Sequence, residues 1–459
     1  MIANRFFRIY FPLLVTSLIA ASYMPAQATS RLTPLSPIVP NHYLVAYRNG
    51  TIPPDAAART SLAGAHVLQQ HERLGIAVVE TNGTADDATN LQRLAAQPDV
   101  DFVVHDRMVY AHQVTTAPAG GYHNPIARPL APVAAQINAP IPPVNTPLPP
   151  VIVPVPPVIV PLPPIIVPVP PAPIAPDPAD SFYTTPEGWA VRQVGGYGKN
   201  IPGGPAHGPW DITMGRGVRI AILDSGIDAA HPDIAPNLVF NLSEVDQTPQ
   251  TGLPSPCDDG SPQDQQGHGT WTASLAAGAA GSGTGLIIGV APEASIVNIK
   301  VLERMPNVSV TGSAAQQCST GEASGLMSWV LKGINDAMTQ HADVISFSLG
   351  SMVDISTGDG AGLKSLVDRA TYAAAQAGAV LIAAAGNDGF NFINSRYIEL
   401  PAQARNVLAI VAATNPACAE NLTSEAVCVA GPVMLPYYSN FGATAQRACR
   451  AGWKRSSGR

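Results

Sequence analysis

A proline-rich run divides this chain of 459 residues into two parts. Residues 140–178 contain eighteen of the 46 prolines, in tandem units such as VIVPVPP and VIVPLPP. Because proline fixes φ and has no backbone N–H, neither a helix nor a sheet interior can form there. We predict a stiff polyproline II linker. The alternative, a ligand for a proline-recognising module, fits less well with the bulky aliphatic residues between the prolines.

The N-terminus has the features of an export signal. Arg5 and Arg8 precede a short apolar run over residues 9–21, and the sequence AQA ending at Ala28 fits a small-residue cleavage site. The run is shorter than the ~20 residues of a membrane span, which favours a removed signal over residues 1–28 rather than a membrane anchor. We therefore expect a secreted or periplasmic protein that has no membrane association after signal removal.

Charge and cysteine content narrow the class of partner and the compartment. Charged residues make up 12% of the chain and the net charge is −7, so nucleic acid is not an expected partner. In an oxidising compartment, four of the five cysteines could form two disulfides. The sequence does not decide the pairing, and the one that we assume is Cys257–Cys318 with Cys418–Cys428. Cys449 is then the odd one out.

Residues 41–113 predict a small α+β unit that precedes the linker. Strand-like segments cover 43–48, 75–81 and 100–111, and helix-like segments cover 55–67 and 87–97. A β-α-β pattern with a further α-β addition predicts a ferredoxin-like sheet with one open face.

Residues 182–442 predict an α/β domain with a doubly wound, mostly parallel sheet. Near-continuous apolar runs of this kind are typical of strands that are buried on both faces. The runs are VRIAIL (218–223), SIVNIKVL (295–302), DVISFSL (343–349), AVLIAAAG (379–386) and VLAIVAA (407–413). Helical periodicity over 321–341 and 362–378 separates some of them. In such a sheet, ligands bind outside the carboxyl ends of the strands.

Three polar residues lie at or near the ends of these elements and are candidates for catalytic residues. Asp224 comes directly after a strand, His268 lies between two glycines in GHGT, and Asn387 follows another strand in AAAGND. Each alone has an ordinary structural explanation, as a turn former or a structural histidine.

Together, the motifs DSGIDAAHPD, GHGT, GVAPEA, SLGS and AAAGND resemble those of the subtilisin-like serine proteases, from about Gly215 to Gly442. The resemblance implies that Asp224 orients the histidine, that His268 is the general base, and that Asn387 donates to the oxyanion. It also implies that Ser348, Leu349 and Gly350 form a strand that binds an extended peptide.

The same resemblance extends to the layout and partners. Residues 41–113 resemble the family's inhibitor-type propeptide, so we expect a monomer whose partners are polypeptide substrates and its own propeptide in cis. Trp271 and Ser274 replace a histidine and a glycine that are common in the family near the general base. Both are scaffold changes and leave the assigned role of His268 in place.

The family's serine nucleophile is expected in GTSMAxP, preceded by DxxAPG, and neither text occurs in these 459 residues. SNFG (439–442) matches the family, and a basic tail follows over 443–459 that includes Ser456 and Ser457, neither of which we assign as the nucleophile. We therefore expect a C-terminally truncated, inactive chain. A reading-frame change or a gene-model error is favoured over a genuine alternative C-terminus. A non-catalytic protein that binds extended peptides is the second hypothesis.

Two further ligand classes receive little support from the sequence. The glycine cluster GSGTG (281–285) follows a helix rather than a strand, which argues against nucleotide binding. Some members of the family bind calcium, and Asp233 lies where one ligand would be. The loop at 279–289 lacks the Asn and Asp oxygens that calcium requires, so we predict no metal and no cofactor.

Overall fold

The computed structural model describes residues 35–83, 85–112, 191, 194, 208–245, 255–281, 287–413, 435–436 and 438–442. The predicted signal segment, the linker, most of the glycine cluster, Cys418, Cys428, Cys449 and the basic tail lie outside the described residues. In the part of the chain that is described, no helix combines the length and apolar character that a membrane crossing requires.

A parallel sheet of six strands forms the centre of the C-terminal part. The strands are β5 (Arg219–Asp224), β6 (Leu238–Ser243), β7 (Ser295–Lys300), β10 (Val344–Phe347), β12 (Val380–Ala384) and β14 (Val407–Ile410). Their spatial order is β14, β12, β10, β5, β7 and β6. Each neighbouring pair is parallel. The predicted α/β class is confirmed, although β6 was missed.

Both faces of this sheet are covered, as the apolar runs predict. Along β5, Ala221 and Leu223 pack in one hydrophobic cluster, whereas Ile220 and Ile222 pack in another. Alternate residues of a strand point to opposite faces, so β5 is buried on both sides.

Among the described residues of the C-terminal part, three helices pack against the parallel sheet, and a short fourth helix precedes β9 (Ala323–Leu326). Their bounds are α3 (His268–Ala277), α4 (Ala314–Ser319), α5 (Met327–Thr339) and α6 (Gly358–Gln376). Helices α5 and α6 share the cluster that contains Leu223, whereas α3 packs in the cluster that contains Ile222. Helix α6 begins four residues earlier than predicted, because the Thr357 side chain caps it by accepting from the N–H of Gly360.

The N-terminal part is an antiparallel sheet of four strands with two helices. The elements are β1 (Ile38–Tyr47), α1 (Ala56–Leu62), β2 (Ala65–His71), β3 (Ile76–Thr81), α2 (Asp87–Ala95) and β4 (Val100–Ala111). The strand order is β4-β1-β3-β2. The predicted helix over 55–67 is wrong beyond Leu62. Residues 65–71 instead form β2, because pairing with β3 outweighs the helical propensity of this Ala- and Leu-containing segment.

The last strand of the N-terminal part continues into the C-terminal part. Strand β4 lies antiparallel to β9 (Ala323–Leu326) on one side and to β11 (Leu349–Asp354) on the other. The predicted helix over 321–341 is therefore wrong before Met327, because residues 323–326 pair as β9. The short β8 (Glu303–Arg304) and β13 (Tyr397–Leu400) extend this second sheet to eight strands. Both sheets belong to one compact unit.

A disulfide joins the loop at Cys257 to helix α4. Cys257 and Cys318 are bonded, with their Cα atoms 5.2 Å apart. This is the first of the two assumed pairs, and the second involves residues outside the described part.

Candidate active site

The structure brings Asp224 and His268 into direct contact. Asp224 ends β5, the first strand of the parallel sheet, and its side chain is fully buried. His268 begins α3, and its Nδ1 lies 2.7 Å from Asp224 Oδ1. The Asp224 carboxylate also accepts hydrogen bonds from the N–H of Ser225 and from Thr272 Oγ1. An imidazole held at Nδ1 by a buried carboxylate can take up a proton at Nε2.

The glycines of GHGT allow this close approach. At Gly269, a Cβ atom would collide with the carbonyl group of Gly226. The start of α3 can therefore lie directly against the loop that follows Asp224 only with glycine at this position.

Asp264 organises the loop before His268, and the sequence analysis missed it. Its Oδ1 accepts from Gly267 N at 2.7 Å, and its Oδ2 accepts from Thr270 N and Thr270 Oγ1 at 2.9 and 2.7 Å. Ser225 Oγ donates to the same carboxylate at 3.0 Å. Asp264 thus ties the His268 loop to the Asp224 loop. The sequence feature that could have revealed Asp264 is its position, four residues before His268.

The electrostatic surroundings favour a protonated His268. Burial on its own would lower the pKa of His268, but the Asp224 carboxylate and the more distant charge of Asp264 outweigh that effect. The net result is a raised pKa. A raised pKa makes the imidazole a better proton acceptor.

Asn387 lies on the loop that follows the carboxyl end of β12, and hydrogen bonds with Asn440 support this loop. Asn440 is fully buried, and its Oδ1 accepts from the N–H groups of Asp388 and Phe390, both at 2.9 Å. Its Nδ2 donates to the carbonyl of Ala385 at 2.9 Å. The conformation of the loop that presents Asn387 therefore depends on the asparagine of SNFG.

The end of the N-terminal part, residues 108–112, lies between β9 and β11, in the space that we call the groove. Tyr110 and Ala111 of β4 pair with Gly350 and Leu349 of β11. The N–H of His112 donates to the carbonyl of Ser348 at 2.9 Å. Residues 348–350, predicted to pair with an extended peptide, thus pair with an extended segment of this same chain.

The next contact places a carbonyl group at Asn387. Asn387 Nδ2 donates to the main-chain oxygen of His112 at 2.8 Å. The main chain of His112 is also one of the groups that raise the pKa of His268. The carbonyl of His112 therefore contacts the predicted oxyanion donor, and the same main chain acts on the predicted base.

The side chain of His112 reaches a buried acid. Its Nε2 lies 3.1 Å from Glu399 Oε1, and the two side chains are only 10% and 4% exposed. Glu399 belongs to β13, which pairs with β11. Neither residue could be identified from the sequence, since no local motif links two positions so far apart.

Within the described residues, no group of three or more His, Cys, Asp or Glu side chains is arranged to bind a metal ion. Asp233 is buried, and its Oδ2 accepts from the N–H of Ile287. The two departures from the family pattern lie on α3. Trp271 is 39% exposed, and Ser274 Oγ donates to the carbonyl of Thr270 within the same helix.

Comparison with known proteins gives consistent matches. Thermitase from Thermoactinomyces vulgaris is 37% identical over 180 residues, which are 39% of this chain and 51% of that protein. The major intracellular serine protease of Bacillus subtilis (strain 168) is 32% identical over 203 residues, which are 43% of this chain and 51% of that protein. The chain thus spans about half the length of these curated relatives.

A solved structure supports the fold. The epidermin leader peptide processing serine protease from Staphylococcus aureus aligns with a TM-score of 0.52 and 16% identity, covering 89% of this chain and 74% of that one. A family model described as "Subtilase family" matches residues 215–453, more than half of the chain. The chain therefore belongs to the subtilase family.

Proposed function

We propose that the chain is the precursor of an exported serine endopeptidase that hydrolyses peptide bonds in polypeptide substrates. In this proposal Asp224 orients His268 and stabilises its imidazolium form, and His268 moves a proton between the nucleophile and the leaving amine. Asn387 donates a hydrogen bond to the oxyanion. Residues 1–28 form the export signal to the periplasm or the exterior, 140–178 the linker, and 182–442 the catalytic domain of a monomer.

The single observation that best supports this function is the position of the His112 carbonyl. Strand β4 is paired on both sides, by β9 and β11, and the carbonyl oxygen of His112, the next residue, lies 2.8 Å from Asn387 Nδ2. An extended peptide held between two strands at the carboxyl edge of the sheet is the arrangement that cleavage of a main-chain amide requires. No metal or organic cofactor is needed for this chemistry.

The second element of the proposal is inhibition in cis. The strand that occupies the groove is the last element of residues 41–113, which have the element order β-α-β-β-α-β. That order matches a ferredoxin-like unit and supports an inhibitor-type propeptide. As long as β4 remains paired with β9 and β11, no other extended peptide can bind there.

The third element concerns the nucleophile. These 459 residues contain no Gly-Thr-Ser and no DxxAPG text, although the family match continues into the basic residues as far as 453. Without a hydroxyl group to activate, the acid, base and oxyanion donor retain only a small fraction of the rate. We therefore propose, as the second candidate function, that a polypeptide of these residues alone binds extended peptides without cleaving them: its own β4, and another peptide only when β4 has left the groove.

A fluorophosphonate probe tests these proposals on the 459-residue chain. We expect no labelled serine, no hydrolysis of a denatured protein substrate, and no new N-terminus at Gln113. A labelled serine, with hydrolysis that disappears in His268→Ala, would show that the missing-nucleophile proposal is wrong.

The coding DNA provides the complementary test. If it contains DxxAPG and GTS text in another frame after codon 442, the polypeptide translated in that frame should label at that serine and cleave after His112. If that polypeptide is folded but neither labels nor cleaves, the endopeptidase proposal fails and the binding function remains.

A further inference from the structure

The groove contains a charged pocket at the residue that precedes the peptide bond under attack. His112 is the last described residue of the bound segment, and its ring nitrogen Nε2 contacts Glu399 Oε1 at 3.1 Å. Both side chains are nearly buried. This contact differs from the main-chain pairing of β4, because it depends on which side chain occupies position 112.

The contact between the acid and the side chain of the bound segment requires glycine at position 350. A Cβ atom at Gly350 would collide with Glu399 Oε1 and with the His112 ring. Glycine at this position therefore lets the incoming side chain and the acid meet. On the opposite side, the N–H of Glu399 donates to Gln403 Oε1 and its carbonyl accepts from Gln403 N, which fixes the main chain of the acid.

The energetics of a buried carboxylate favour a basic partner. Burial raises the pKa of Glu399, and the hydrogen bond and charge of His112 oppose that rise. The negative charge of Asp388 adds to the rise. An apolar side chain in the pocket would leave the carboxylate without its donor, and a buried ionised group without a partner costs several kcal/mol.

We propose that Glu399 determines specificity by selecting a basic side chain, as in His, Lys or Arg, at the residue immediately before the scissile bond. The inference rests on the proposed function, since it assumes that the bound segment marks the substrate path. It adds the substrate class: polypeptides cleaved after a basic residue, beginning with the bond between His112 and Gln113. Glu399 does not take part in the chemical step.

The 459-residue chain allows a direct binding test, because the ligand segment is attached to the site. Hydrogen exchange measured by mass spectrometry reports how often residues 108–112 leave the groove. We would compare His112→Lys, His112→Leu and His112→Glu in the natural chain and in the nearly isosteric Glu399→Gln background. Glu293→Gln, which removes an exposed partner of Arg216, is the matched control. Exchange in β12 reports whether each variant is folded.

In the natural background we expect His112→Lys to keep the protection of residues 108–112 within about threefold. His112→Leu should lose roughly tenfold or more and His112→Glu more still, because each leaves the acid unpaired or opposed. In the Glu399→Gln background, the difference between lysine and leucine should vanish or reverse. Glu293→Gln should have no effect.

Two results would overturn this inference and leave the proposed function standing. The first is that His112→Leu keeps the exchange protection of residues 108–112 at the level of the natural chain. The second is that His112→Lys remains better protected than His112→Leu in the Glu399→Gln background. A different result separates this failure from that of the proposed function. If residues 108–112 of the natural chain exchange as fast as an unstructured peptide while β12 is protected, inhibition in cis is wrong and the inference falls with it.

Discussion

Asp359 is the strongest described link between the N-terminal sheet and α6, and its replacement should loosen the bound strand. Its Oδ1 accepts from His105 N at 2.8 Å and contacts His105 Nδ1 at 2.9 Å. Its Oδ2 accepts from Arg107 Nη2 at 2.7 Å. Both partners belong to β4, which leads into the groove. Asp359→Asn keeps the shape of the side chain and removes the charge.

The magnitude follows from the acidity of Asp359. Burial alone would raise its pKa, but hydrogen bonds from His105 and Arg107 lower it from 3.8 to about 2. The Asp359 side chain is 23% exposed, so solvent screening is limited. At about 1.4 kcal/mol for each pKa unit, the charge contributes about 2 kcal/mol to the free energy of unfolding. That corresponds to a factor of about 30 in the unfolding equilibrium constant.

Urea denaturation at pH 7 measures this quantity. The control is Asp368→Asn on the same helix, which loses the charge of a partly exposed i,i+4 pair with Lys364 while its Oδ1 can still accept from the N–H of Arg405, and which should cost about 0.5 kcal/mol. A carboxylate whose pKa is lowered by folding stabilises the folded state above its unfolded pKa. The deficit of Asp359→Asn should therefore be constant from about pH 7 to pH 5 and should shrink as pH falls from about 4 towards 2.

If Asp359→Asn and Asp368→Asn lowered the free energy of unfolding equally at pH 7, the charge of Asp359 would not stabilise the fold through His105 and Arg107 as we argue. A deficit of Asp359→Asn that grows as the pH falls would refute the linkage argument, because it would mean that Asp359 is harder to ionise in the folded state than in the unfolded state.

Three further perturbations test other parts of the structure. The hydrogen bond to Asp359 raises the pKa of His105 against the effect of burial, and Asp87 adds to the rise. The protonated His105 side chain therefore stabilises the folded state at acidic pH, and this stabilisation is lost as pH rises through its pKa in the folded state. Hydrogen exchange across residues 100–107, corrected for intrinsic rates, should accelerate from about pH 6 to pH 9. The acceleration should be smaller in His105→Gln. Replacing Cys318 by Ser opens a loop with a sequence separation of 61 and should lower the unfolding free energy by roughly 4 kcal/mol; no change in denaturation midpoint would contradict this. Asn440→Ala leaves the buried carbonyl of Ala385 and the N–H groups of Asp388 and Phe390, whose hydrogen bonds to Asn440 are partly buried, without this partner and should cost about 1–3 kcal/mol, with local exchange at 385–390 rising first; protection equal to that of the natural chain would contradict it.

The parallel sheet could be predicted from the sequence because its strands are defined locally. The run VRIAIL gives a strand at 219–224 and SIVNIKVL one at 295–300, each within two residues of the prediction. Strands such as β9 are different. Its sequence, ASGL, has no β periodicity, and it is extended because it pairs with β8 on one side and, on the other, with β4 from more than two hundred residues away. Local propensity cannot predict pairing over that distance.

The residues of the candidate site also fall into those that the sequence predicts and those that only the structure shows. Asp224, His268 and Asn387 were identified by motifs, and the structure places the first two in contact and the third at the carbonyl of His112. Asp264 and Glu399 were missed, because their importance depends on partners that lie elsewhere in the fold. Only a structure relates Glu399 to His112.

The contact between His112 and Glu399 also bears on how the position of the scissile bond is fixed. The hydrogen bonds of β4 with β9 and β11 are made by the main chain, so on their own they would permit the strand to shift along the groove. A shift by one residue would turn every side chain to the opposite face and place Ala111 or Gln113 at the position of His112. Either shift would replace the ring of His112 beside Glu399 by an uncharged, non-basic side chain and would move the His112 carbonyl away from Asn387. A side-chain pocket with a buried acid therefore penalises each incorrect register, and the same interaction that selects a basic residue also determines which peptide bond faces His268.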